Sequence, residues 1–371
     1  MRSELGLGGS RVAPAGSPPV AAPHPPNNFD ALRLAAATSV ILSHAILLST
    51  GQQSGDPLML ISHGQCILGL VGVFVFFIVS GYLVTQSWDQ TGSVLRFLAK
   101  RGLRIYPAYA ACLVLLTFGL GTLTTSLDLR AYLAAGGTWD FLAANLAMQV
   151  EHNGLPGVRF TDWPFGTIVD GPLWSLPCEV VLYLMVALLG SLRLLRLPVL
   201  LGLLAAGVAC LWFDTANSPW FIGGVGWLLG FFAAGMIGYE LRARSLFHPA
   251  LALGAAVGIL VTLQLGGFVL WFPLLGGYLT LYLAFSRTLP LLAAAAFGDL
   301  SYGMYIYGWP VEQTVLQRFG LLPWWQVFLL SLPLAAALAF LSWHIVEKPA
   351  LRLKPRPRAT LGPAQGDGEP A

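Results

Sequence analysis

Arg33 and His44, eleven positions apart, interrupt the apolar stretch FDALRLAAATSVILSHAILLS at residues 29 to 49. In a helix that spacing is about three turns, so both side chains share a face and lie roughly 16 Å apart along the axis, half a bilayer core. Ionisable groups in hydrocarbon cost from about 2.5 kcal/mol upward, so such a pair should face protein or water and mark a site. Glu179, within LWSLPCEVVLY, is a third such group, with Ser175 and Tyr183 four residues to either side and therefore on its face. A carboxylate beside an imidazole fixes the tautomer and raises the basicity of the ring, which is what a general base acting on a hydroxyl needs. Purely structural pairings of His44 and Glu179 with other side chains remain open at this point.

The elements that must hold these groups are membrane helices. Of 371 residues 56% are hydrophobic and only 10% charged, and the mean hydropathy is +0.71. So little charge over this length excludes a single soluble core and points to an all-α integral membrane protein. Residues 1 to 28, rich in Pro, Gly, Ala and Ser, read as a disordered cytosolic tail, and residues 353 to 371 as a second one. Between them, apolar runs suggest ten transmembrane helices in one bundle, at about 29–49, 67–87, 104–124, 172–191, 197–213, 221–240, 248–265, 267–286, 300–318 and 324–346. With both termini cytosolic, only Arg130, Arg159 and Arg318 of the 20 Lys and Arg residues fall outside, as the positive-inside rule requires. The net charge of +3 suggests no nucleic-acid partner. Four cysteines without a CxxC pair suggest neither a disulfide framework nor a metal site.

This layout sorts the polar residues by depth. His44 is about six residues from the outer end of the first span and Glu179 about seven from the outer end of the fourth, so the two are expected side by side. Pro172 and Pro177 leave a kink or a re-entrant turn open there. At the inner face collect Arg33, Ser80, Tyr82, Arg101, Arg104, Tyr302, Tyr305 and Glu347. Arginines around an opening lined by small residues would grip a phosphorylated cytosolic ligand, although juxtamembrane arginines also serve as topology signals. The long exterior loop, residues 125 to 171, carries Asp162, Asp170 and Trp163, with Trp174 just beyond it. Acids among aromatic rings suit a carbohydrate acceptor or, equally, an interfacial belt.

The motifs in order resemble the acyltransferase 3 family of multi-pass membrane enzymes, over about residues 29 to 352. The resemblance is carried by Arg33 with His44, by GVFVFFIVSGYL with Ser80 and Gly81, by KRGLRIYPAY with Arg101 and Arg104, by LWSLPCEVVLY with Glu179, by DLSYGMYIYGWP and by SWHIVEKPALR. Members often carry a histidine before the Trp-Pro of the ninth span, where this chain has Gly308, and often a glutamate pair where it has Glu179 and Val180. The resemblance implies a bacterial inner-membrane O-acetyltransferase with no permanently bound cofactor. Acetyl-CoA or another acyl-CoA would be the co-substrate, a glycan or lipid-linked sugar the acceptor and the lipid bilayer a partner. On this reading His44 and Glu179 are catalytic and Arg33, Arg101, Arg104, Ser80 and Tyr82 bind the donor. Ser175, Tyr183, Tyr302, Tyr305 and Glu347 support them, and Asp162, Trp163, Asp170 and Trp174 meet the acceptor. A general base at His44 and an acyl-histidine relay are both compatible. The alternative is a transporter using the same buried groups as a pathway, against which stands the lack of paired broken helices in matching halves.

Overall fold

A computed structural model describes residues 27–162, 165–213, 220–244, 247–286 and 298–354. The calls on Trp163 and on most of both tails lie outside these residues. The helices are α1 (Phe29–Thr50), α2 (Pro57–Ile61), α3 (Leu68–Thr91), α4 (Val94–Val114), α5 (Gly121–Thr124), α6 (Leu129–Ala134), α7 (Gly136–Leu146) and α8 (Ser175–Ser191). After them come α9 (Leu197–Trp212), α10 (Trp220–Glu240), α11 (Pro249–Leu265), α12 (Phe268–Phe285), α13 (Ser301–Phe319), α14 (Trp324–Ser342) and α15 (Lys348–Arg352). A π-helical stretch at Leu115–Leu120 joins α4 to α5, and another at Trp343–Glu347 joins α14 to α15. Among the described residues six helices are long and apolar enough to cross a bilayer, namely 29–50, 68–91, 94–124, 172–191, 268–285 and 324–352, while α9 and α11 are apolar but shorter.

α1 lies against α3 on one side and α13 and α14 on the other; α3 packs on α10, α10 on α9 and α12, and α13 on α14. Glycine makes the α3–α10 crossing possible. A Cβ at Gly81 would sit 2.0 Å from the Phe232 carbonyl oxygen and one at Gly235 2.0 Å from that of Ile78, so the two backbones touch. Close approach of this kind holds helices together where lipid removes the hydrophobic drive between them.

The C-terminal end of α1 is tied by one carboxylate. Gly51, at φ 71°, ends the helix. Buried Asp56 then accepts from the Leu58 and Met59 amides at the start of α2, from the Leu68 amide of α3 at 2.9 Å, and from the Ser43 hydroxyl of α1. A single side chain thus fixes α1 against α3 one residue from His44.

The long loop at residues 125–171 folds into α6 and α7, and from Phe165 on it runs along α13 in non-helical conformation. Gln317 donates to the Arg159 carbonyl at 3.4 Å, Gln313 to those of Phe165 and Ile168 at 2.8 and 3.1 Å, Trp309 to Ile168 at 3.0 Å and Tyr305 to Pro172 at 3.0 Å. Donors four residues apart on one face of α13 therefore satisfy the carbonyls of the descending chain, which is what non-helical backbone needs inside a bundle. A short turn, Pro172–Trp174, then opens α8.

Candidate active site

A cavity runs between α1, α3, α4, α8 and α13. Arg33, Arg101 and Arg104 line one end, Ser80, Glu179, Tyr183 and Tyr302 its middle, and Ser175, Tyr305 and Phe76 the other end. Most of the expected donor-side residues therefore share one wall. Tyr82 does not: it packs against Phe29, Tyr239 and Phe285. Two residues beyond Ser80 it points to the opposite side of α3, so it is a core residue rather than part of the cavity.

The charged end is held by Asp299, which lies just before α13 and which the sequence reading did not single out. Its Oδ2 meets Arg33 at 2.9 Å and also bonds Arg104, while Oδ1 accepts from the Ser301 hydroxyl at 2.7 Å. Burial pushes the Asp299 carboxyl up, but Arg104 and Arg33 outweigh burial and hold it down to about 2, so the clasp stays charged throughout the physiological range. Arg33 also bonds Asp30. Glu347, placed by the π-helical stretch, lies 3.9 Å from Arg104 and accepts from Ser342 at 3.2 Å. Arg101 has no carboxylate within ion-pair distance among the described residues: its guanidinium lies over the Tyr183 ring at 5.9 Å, and its Nε is buried without a hydrogen-bond partner. The Arg33 Nε is likewise unpartnered. These two guanidiniums retain donor capacity for an anionic ligand.

Glu179 lies in the middle of the cavity and accepts from Ser80 at 2.9 Å and Tyr183 at 2.5 Å. The expected pairing with His44 is not made. The chain before α8 is carried down α13, so that Ser175 bonds Tyr305 at 2.7 Å. His44, in contrast, packs edge-on against Trp309 at 4.9 Å, one turn further along α13. One turn from Trp309 to Tyr305 and another from Ser175 to Glu179 separate the two groups by about 12 Å in depth. The start of α8 at Pro172–Trp174 lies below the level of His44 on α13, so counting residues from the membrane surface overstates how close Glu179 comes to it.

The carboxylate nearest His44 is Glu312 of α13, with Oε2 3.9 Å from Nδ1. The rule that singles out His44, an ionisable residue inside an apolar helix, applies equally to Glu312. The imidazole side chain is 18% exposed, although its Nδ1 is buried. The expected acceptor residues separate. Asp162 is exposed beside Arg159 at 3.8 Å, and Trp174 packs into the core. Asp170 is 2% exposed with neither carboxylate oxygen partnered, and burial pushes its carboxyl well above the usual range.

The chain matches the family profile described as Acyltransferase domain over residues 27–344. It is 28% identical over 335 residues to an O-acetyl transferase of Shigella phage Sf6, covering 88% of this chain and 96% of that one. It is also 28% identical over 362 residues to Nodulation protein 10 of Rhizobium leguminosarum bv. viciae, covering 88% and 94%. With Acyltransferase MdmB of Streptomyces mycarofaciens it shares 31% identity over 199 residues, 51% of this chain and 46% of that one. No solved structure matches. A match over this length, on a bundle of apolar helices with an arginine-lined cavity at its centre, shows that the chain is a membrane acyltransferase and belongs to the acyltransferase 3 family.

Proposed function

We propose that the protein is an O-acetyltransferase of the bacterial inner membrane, taking the acetyl group from cytosolic acetyl-CoA and placing it on a hydroxyl of a glycan or lipid-linked sugar at the opposite face. On this reading the chain crosses the membrane ten times with both termini in the cytosol. The observation that supports it best is the cavity itself: it begins at Arg33, Arg101 and Arg104 and ends at Ser175 and Tyr305, about 6 Å in depth from the level of His44. A phosphate-bearing donor fits the charged end, because the Arg33 and Arg101 Nε atoms are buried without partners there. Acetyl-CoA, when bound, supplies an activated thioester.

The residues of this chain supply the rest. Arg101 and Arg33 bind donor phosphate, while Asp299 and Glu347 keep Arg104 in position beside them. Glu179, Ser80 and Tyr183 form the polar wall past which the donor arm passes. His44 accepts the proton of the acceptor hydroxyl; the acceptor oxygen bonds to the acyl carbon as the carbon–sulfur bond breaks, and His44 returns the proton to the departing thiolate. A relay in which His44 itself carries the acyl group uses the same imidazole. Ser175 and Tyr305 are the hydroxyls nearest this passage from the cavity side; the Tyr305 O–H is committed to the Pro172 carbonyl, and the Ser175 O–H, turned from Tyr305, would donate to the developing oxyanion.

Mass spectrometry of surface glycans from wild-type, deletion and H44A strains tests the proposal. The expected outcome is an acetyl-sized increment present in the wild type and absent from both other strains at equal protein level. Its persistence in the H44A strain would remove His44 from the mechanism; its persistence in the deletion strain would remove the protein from the reaction.

A further inference from the structure

We infer that Glu312 is the positioning residue of His44, the acidic partner that orients the imidazole and balances its charge when it takes a proton. This rests on the reading of His44 as the proton acceptor. Glu312 is 0% exposed, and neither of its carboxylate oxygens has a hydrogen-bond partner among the described residues. The same is true of the His44 Nδ1, and 3.9 Å separates it from Glu312 Oε2. A carboxylate with no partner in the middle of a helix bundle contributes nothing to stability, since burying it costs several kcal/mol that only a partner offsets. Two such orphans facing each other make sense as one pair.

The packing of α1 on α13 creates this pair. A Cβ at Gly308 would lie 2.8 Å from Cγ1 of Ile41, so the two helices are in direct contact there. His44 is three residues beyond Ile41 and Glu312 four beyond Gly308, so each lies one turn further along its own helix, on the same face as the contact. Trp309 holds the ring from the side, and is itself fixed by its indole N–H to the Ile168 carbonyl at 3.0 Å. With Glu312 on the Nδ1 side, a neutral His44 places its proton on Nδ1 and leaves Nε2 free to take the proton of an acceptor hydroxyl. The imidazolium so formed lies beside a carboxylate in a medium of low dielectric, where the attraction is strong.

The test uses full-length protein in inverted vesicles from the deletion strain, with acetyl-CoA as the varied substrate and thiol release as the readout. E312Q keeps the shape of the side chain and removes its charge. The expected result is turnover lower by about 10- to 100-fold, with the KM for acetyl-CoA and the thermal unfolding of the purified protein unchanged. E312A should be impaired to a similar degree, and G308A, which forces α1 from α13, should lower turnover as well. A merely steric role predicts instead that E312Q behaves as wild type and only E312A fails. E312Q turnover within about twofold of wild type, with H44A inactive, overturns this inference and leaves the proposed function standing. Wild-type turnover in H44A overturns both.

Discussion

The two ends of the bundle treat buried charge in opposite ways. At the arginine end Asp299 bridges Arg33 and Arg104, Asp30 reinforces Arg33, and Ser301 takes the remaining carboxylate oxygen. Toward the other end the carboxylates of Glu312, beside His44, and of Asp170 have no hydrogen bond, and neither has the imidazole Nδ1. A clasp with its charges matched is a scaffold, because its members are worth most when nothing changes. Groups left unmatched at a cost are poised for a proton or a ligand, the condition expected of a working site. Arg33 and Arg101 tie the ends together, since each keeps a buried Nε without a partner in or beside the clasp.

Breaking each end should therefore give different symptoms. The largest effect is expected from H44A: loss of transfer by at least ~100-fold with an unaltered unfolding temperature, read as acetyl increments and by calorimetry of the purified protein. Next is D299A, which leaves Arg33 and Arg104 facing each other without their shared anion. It should cost about 3–5 kcal/mol of stability and lower the yield of folded protein, whereas E312A, at the other end, should cost no stability. R101A comes third, raising the KM for acetyl-CoA about tenfold, a loss of about 1.4 kcal/mol, with little change in turnover at saturating donor. Y305F, which removes the hydroxyl bonded to Ser175 and Pro172, should cost about 1 kcal/mol. D162A is the smallest: its pair with Arg159 is fully in solvent, and the unfolding temperature should not move. If D299A unfolded no more readily than E312A, the contrast between scaffold and site would be wrong.

Much of this was legible in the residues. Hydropathy marked α1, α3, α8 and α12 to within a few positions, because a membrane helix must carry its apolar character continuously along its length. The grouping of Arg33, Ser80, Arg101, Arg104, Tyr302 and Tyr305 followed from sorting side chains by depth, and they do line one cavity. Depth reckoning failed at Glu179 for a definite reason: it assumes 1.5 Å per residue from the membrane surface, and the chain from Phe165 to Ile168 and on to Pro172 descends along α13 before α8 begins. The polar ladder Tyr305, Trp309, Gln313 and Gln317, spaced by four within the ninth span, was the available signal that another chain lies along that face. Asp299 and Glu312 carry the same signal as His44, an acid in or beside an apolar span, but the partners that give them meaning come from other helices and are not set by local sequence.

The descending segment also sets a rule for length. From Phe165 to Pro172 each carbonyl taken by α13 is matched to a donor at a fixed height, so this stretch works as a ruler suspending α8 at one depth. Adding a single residue here would leave a carbonyl stranded in a dry interior and shift Ser175, Glu179 and Tyr183 together past the arginines. Upstream, around the exposed faces of α6 and α7, the chain has no such gauge and can change in length at little cost. The enzyme can therefore remodel the region of α6 and α7 without retuning the depth of its cavity wall.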